Sequence, residues 1–88
     1  GRLLINVREN GDVVIAKRAY TNAALLQMLK SEAERYRAPD GSVRVAVLIR
    51  ADGDAEFGTV QRLMLNCART GIWKVSIAAN KEKVPFRE

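Results

Sequence analysis

The sequence predicts an α+β domain: a two-layer sandwich of order β-β-α-β-α-β, in which a mixed sheet carries two helices on one face. Three patterns carry that expectation. Four short runs alternate apolar and polar residues, the period of a half-buried strand. Two longer stretches between them repeat apolar residues at three- and four-residue spacing, the period of an amphipathic helix. Turn formers, Asn10-Gly11, Pro39-Asp40-Gly41, Asp52-Gly53 and Gly71, fall at the boundaries.

The first strand spans Leu3 to Arg8, with Leu3, Ile5 and Val7 alternating with Leu4, Asn6 and Arg8. Asn10-Gly11 then predicts a tight hairpin, with both turn residues at positive φ, into a second strand from Asp12 to Lys17. Thr21 is placed to cap the first helix, since its hydroxyl can accept from the free N–H groups of the first turn. Leu25, Leu26, Leu29, Ala33 and Tyr36 form its apolar face, and Ala38-Pro39-Asp40-Gly41 stops it. Ser42 to Ala51 is the strongest strand, with Val43, Val45, Val47 and Ile49 on one face and Arg44, Ala46, Leu48 and Arg50 on the other. A second helix is expected from about Ala55 to Thr70, burying Phe57, Val60, Met64, Cys67 and Ala68, and ending at Gly71 in a left-handed conformation. Trp73 to Ala79 closes the sheet, with Trp73, Val75 and Ile77 toward the core and Lys74, Ser76 and Ala78 away from it. Residues 1–80 are read as one domain and residues 81–88 as a polar tail. Right-handed crossovers progressing in one direction put both helices on the same side of the sheet.

Composition narrows function. The 88 residues carry 15 Lys and Arg against 10 Asp and Glu, a net charge of +5, and 48% are hydrophobic, too many for a disordered chain. There is no histidine, which removes the commonest general base and metal ligand. A single cysteine, Cys67, excludes an internal disulfide and any CxxC site. No run approaches the roughly 20 apolar residues of a membrane span. Gly1 begins almost directly on a strand pattern with no initiator Met, which reads as the cut end of a longer protein.

The candidate chemistry is thin. Gly53-Asp54-Ala55-Glu56-Phe57-Gly58 has the glycine spacing of a phosphate loop, but the lysine after the second glycine is missing and two carboxylates sit where phosphate would bind. Asp52, Asp54 and Glu56 suggest a cation site, yet a hard cation needs six or more oxygens, so solvated turn carboxylates fit better. Cys67 on an apolar helix face reads as a small hydrophobe. Ser31, Ser42 and Ser76 have no histidine to activate them, and Lys74 shares an exposed strand face with Ser76. No enzyme, cofactor or metal is expected. The uncovered sheet face would carry Arg44, Leu48, Arg50, Lys74 and Ser76, and these are the candidate partner-binding residues. Such a basic face suits an acidic partner or acidic lipid headgroups. The alternative is a small RNA-binding α/β domain using Arg44, Arg50 and Lys74, although the usual RNA-binding sheet displays aromatic residues on that face.

Longer segments resemble a known family. "ENGDVVIAKRAYT", "LLQMLKSEAER" and "VAVLIRADGDAEFGTVQRLMLNCARTGIWKVSIAA" are similar to the periplasmic domain of the ExbD/TolR biopolymer-transport family, over about residues 5 to 79. The most specific part is Ile49-Arg50-Ala51-Asp52, then Phe57-Gly58, a helix with Val60 and Met64, and Thr70-Gly71-Ile72 leading into Lys74-Val75-Ser76. The Ile-Arg-Ala-Asp wording favours the ExbD type. The resemblance implies a homodimeric, non-enzymatic domain on the periplasmic side of the bacterial inner membrane, anchored by an N-terminal helix that this chain lacks. It implies ExbB- or TolQ-like and TonB- or TolA-like partners, drive by the proton motive force, and no nucleic acid. The family's proton-linked aspartate lies in that missing helix, so no residue here inherits its role, and Asp52 reads as structural. An extended partner segment could add as a strand to an open sheet edge, either Trp73 to Ala79 or Leu3 to Arg8.

Overall fold

The computed structural model describes residues 1–80; the expected tail, residues 81–88, lies outside them. Five strands form one mixed sheet: β1 (Arg2–Val7), β2 (Val13–Ile15), β3 (Arg18–Tyr20), β4 (Ala46–Asp52) and β5 (Lys74–Asn80), in the spatial order β3-β2-β1-β4-β5. Helix α1 (Asn22–Arg35) precedes β4, and α2 (Phe57–Arg69) joins β4 to β5. The strands β1, β4 and β5 run parallel, while β2 is antiparallel to β1 and β3 antiparallel to β2. The α+β sandwich expected from the pattern is the observed architecture, with one short strand added.

That added strand changes the first connection. The expected second strand, Asp12 to Lys17, ends at Ile15, because the chain reverses through Ala16 (φ 52°) and Lys17 (φ 68°) into β3. Two consecutive positive φ values make the two-residue hairpin turn whose twist matches the strands. The Asn10-Gly11 hairpin forms with a different turn. Gly11 alone is at positive φ (94°); its N–H donates to the Arg8 carbonyl at 2.9 Å, and the Arg8 N–H donates to the Asp12 carbonyl at 2.9 Å. That is a three-residue loop closed by a left-handed glycine. The Asn10 side chain accepts from the Asp12 N–H at 3.0 Å, which favours this form.

Helix α1 starts as predicted, with Thr21 Oγ1 accepting from the Ala24 N–H at 3.1 Å. It buries Leu25, Leu29 and Ala33. It ends at Arg35, ahead of the proline, and a turn follows in which the Gly41 N–H donates to Ala38 O. Helix α2 begins two residues later than expected, because Asp52 to Ala55 form a turn first: Asp52 O accepts from the Ala55 N–H and Asp52 Oδ1 from the Asp54 N–H. Its far end has the full glycine cap. Gly71 (φ 88°) donates to Ala68 O, and Ile72 donates back to Cys67 O, both at 3.0 Å. Ile72 and Cys67 are themselves buried together in the core.

The core lies between the helices and one sheet face. It is built on Ile5, Val7, Val47 and Ile49 from the strands and Leu25, Leu29, Leu63 and Cys67 from the helices. Three expected core positions of α2 are exposed instead: Phe57, Met64 and Ala68. Leu63 and Asn66 take their place. The helix is rotated toward α1, where Asn66 donates to Asn22 Oδ1 at 3.0 Å. The core under the two helices does not extend fully to the last strand, from which, among the described residues, Val75 alone packs against it, partly buried. The uncovered margin is β5, so Ile77 remains 47% exposed although it pairs with buried Ile49.

Trp73 is a second correction. It is 68% exposed rather than in the core. The Val75 N–H donates to Trp73 O at 3.1 Å, and this tight bend takes Trp73 out of the strand alternation. The strand itself begins one residue later, at Lys74.

Candidate functional site

The sheet register fixes the face away from the helices. Arg2, Ala46 and Lys74 share one row, Leu4, Leu48 and Ser76 the next, and Asn6, Arg50 and Ala78 the third. Arg44 precedes Ala46 by two residues and continues the same face. All five predicted partner-binding residues, Arg44, Leu48, Arg50, Lys74 and Ser76, therefore sit on this open face, and all are exposed. Sequence reasoning missed two members of the same surface, Arg2 and Leu4, which the parallel pairing of β1 with β4 brings alongside. The available signal was the alternation of Leu3 to Arg8, which already placed Leu4 opposite the core residues.

Two of the shallow hollows on the face lie toward its Gly1 end. One, of about 460 Å³, is lined by Arg2, Leu4, Leu48, Arg50 and Ser76 among others. The second, of about 240 Å³, lies at the start of the strands, where Arg44, Ala46, Trp73 and Lys74 surround the Gly1 backbone. The Lys74 ammonium stands 5.6 Å from the centre of the Trp73 ring, a cation–π distance.

The remaining sequence candidates gain no chemistry. In the Gly53–Gly58 segment the N–H groups of Asp54 and Ala55 are already bonded to Asp52, so they are not free to cradle a phosphate. The carboxylates that converge are Glu9, Asp52 and Asp54, rather than Asp52, Asp54 and Glu56. All three are exposed, and they fall short of the oxygen count of a hard-cation site. Cys67 is buried, and desolvation pushes its thiol up to about 11. A thiol held neutral is a poor nucleophile. Asp40 titrates below the usual carboxylate range because Ser42 hydrogen-bonds it through both Oγ (2.7 Å) and N–H (2.9 Å), a turn-locking arrangement rather than a catalytic one.

The edges of the sheet differ. β5 is an outer strand of seven residues, and β3 at the other margin has three. β1 lies in the middle of the sheet, between β2 and β4. Leu3 to Arg8 is therefore not an edge, and the alternative docking strand considered from sequence is removed. Among the described residues no helix is long and apolar enough to cross a membrane.

No curated protein matches the sequence. The family model described as biopolymer transport protein ExbD/TolR matches residues 2–82, spanning every strand and helix above. The chain belongs to the ExbD/TolR family of biopolymer transport proteins.

Proposed function

We propose that this chain is the periplasmic domain of an inner-membrane complex that uses the proton motive force, of the TonB–ExbB–ExbD or Tol–Pal kind, and that it serves outer-membrane transport by holding a TonB- or TolA-like partner. It works without catalysing a reaction and without a cofactor. The ExbD type is favoured by the Ile49-Arg50-Ala51-Asp52 segment. The observation that carries the reading is the edge of β5. This is a seven-residue strand at the sheet margin. An extended segment can add there, with backbone hydrogen bonds supplying affinity and side-chain contacts supplying selectivity. The side chains beside the added strand on the open face are Lys74 and Ser76, with Leu48, Arg50 and Arg44 one strand further in. A second copy of the chain can use the same edge, which gives a homodimer.

The test is a titration of isotope-labelled chain with the partner's periplasmic segment. Amide shifts should concentrate along Lys74 to Ala78 and spread to β4. Shifts confined to one helix face and absent from every strand would reject the edge model. Truncating Arg50 and Lys74 to Gln should weaken the segment and leave the fold intact, since both side chains are exposed.

A further inference from the structure

We propose that the Gly1 end of the open sheet face docks on an anionic lipid bilayer, with Arg2, Arg44 and Lys74 at the phosphate level, Trp73 in the headgroup interface, and Leu4 and Leu48 as the apolar row behind them. The register places Arg2 and Lys74 on either side of Ala46, which sets their Cα atoms about 10 Å apart, and Arg44 lies on the same face two residues before Ala46. All three are exposed. None is in an ion pair among the described residues, where the two ion pairs are Arg35 with Glu32 and Arg37 with Glu34. The acidic side chain nearest in sequence to Arg44, Asp40, is bonded by Ser42, whose Oγ also accepts from Arg44 Nε at 3.4 Å. After those Ser42 bonds, Arg44 helps hold that carboxylate below its usual range, so Arg2 and Lys74 carry more of the free charge of this surface than Arg44 does. The carboxylate that the register puts on this face, Asp52, is at the opposite end of β4.

Charge alone would suit any polyanion. The apolar groups favour a bilayer. Trp73 is 68% exposed beside Lys74, and Leu4 and Leu48, at 40% and 37%, fill the row directly behind the cations. An indole next to basic side chains is the pairing that sits at membrane interfaces, because the ring is amphipathic and the cations attract headgroup phosphates. The surface shares Arg44, Leu48 and Lys74 with the partner face, but it needs no free strand edge, so a vesicle experiment without any partner addresses it separately.

Trp73 is the single tryptophan of the chain, and its emission reports the contact directly. The 88-residue chain is mixed with vesicles of phosphatidylcholine containing phosphatidylglycerol, and with phosphatidylcholine vesicles alone. Expected are a blue shift and co-sedimentation with the anionic vesicles only, both weakening as salt rises. The double variant R2Q/K74Q should lose roughly 25-fold in partition coefficient, with an unchanged far-UV spectrum. Soluble glycerol phosphate at matched phosphate concentration should leave the emission unmoved. The proposal is overturned by no blue shift at low salt, by equal binding to neutral vesicles, by an effect that soluble glycerol phosphate reproduces, or by single-stranded RNA shifting Trp73 when vesicles do not.

Discussion

Cys67 shows how burial decides the chemistry of one side chain. It is fully enclosed on α2, and its thiol is pushed up to about 11 by desolvation. Raising the pKa in the folded state has a definite sign. The neutral thiol is accommodated at every pH below its ordinary value near 9, and stability is lost as pH rises from there through about 11. The loss should reach about 2–3 kcal/mol once both states would ionise. Denaturant midpoints measured from pH 8 to 11.5 should fall for the parent chain. The variant C67A, lower at neutral pH through its small cavity, should show a flatter alkaline limb. A disulfide-forming thiol reagent at pH 8 should label native Cys67 slowly and unfolded chain fast. Rapid native labelling would mean that the helix face opens.

At the scale of elements, two connections show where local sequence was a good guide and where it was not. Thr21 and Gly71 act as caps by local rules, and both were legible because capping involves residues within a few positions of each other. The Ala16-Lys17 turn was not legible. Neither residue is a usual left-handed turn former, and the turn exists because Val13 to Ile15 must pair with both β1 and β3. Its backbone carries a cost that a better turn sequence removes. A16N/K17G should raise stability by about 1 kcal/mol, read as a higher thermal midpoint with unchanged strand content. The face of α2 was misjudged for a related reason. Phe57, Met64 and Ala68 fit the helical period around Val60 and Cys67 as well as Leu63 does, and only the position of α1 selects between the two stripes. The contact that records this choice is Asn66 with Asn22. Replacing Asn22 with Ala leaves the buried Asn66 amide without that partner and should cost about 1–3 kcal/mol, whereas L63A should cost about 2–5 kcal/mol through its cavity. Both follow from urea unfolding. The open face, by contrast, was largely readable: period-two alternation in the strands put all five candidate residues on it, while neighbours supplied by strand order, such as Arg2 and Leu4, were missed.

For the whole molecule, the asymmetry of the sheet matters most. One margin ends in a three-residue strand, while the other is the seven-residue β5. On β5 the residue toward the helices, Ile77, lies beyond their cover and stays 47% exposed. A long edge with apolar side chains invites strand pairing. One edge, however, accepts one strand. If a second copy and a partner segment both use β5, they exclude each other, and the domain exchanges a symmetric pair for a complex of one chain with one segment. Sedimentation at rising segment concentration should then convert dimer to that 1:1 species. Two chains carrying two segments would place the dimer contact elsewhere. Ile77→Lys supplies the complementary measurement. It sets a charge on the exposed edge, as natural edges do to prevent pairing. Both associations should weaken about three- to tenfold, because covering the exposed half of Ile77 is worth about 0.7–1.5 kcal/mol to whichever strand docks. The isolated fold should change little, since the side chain is already half in water. Loss of one association with the other untouched would separate the two surfaces.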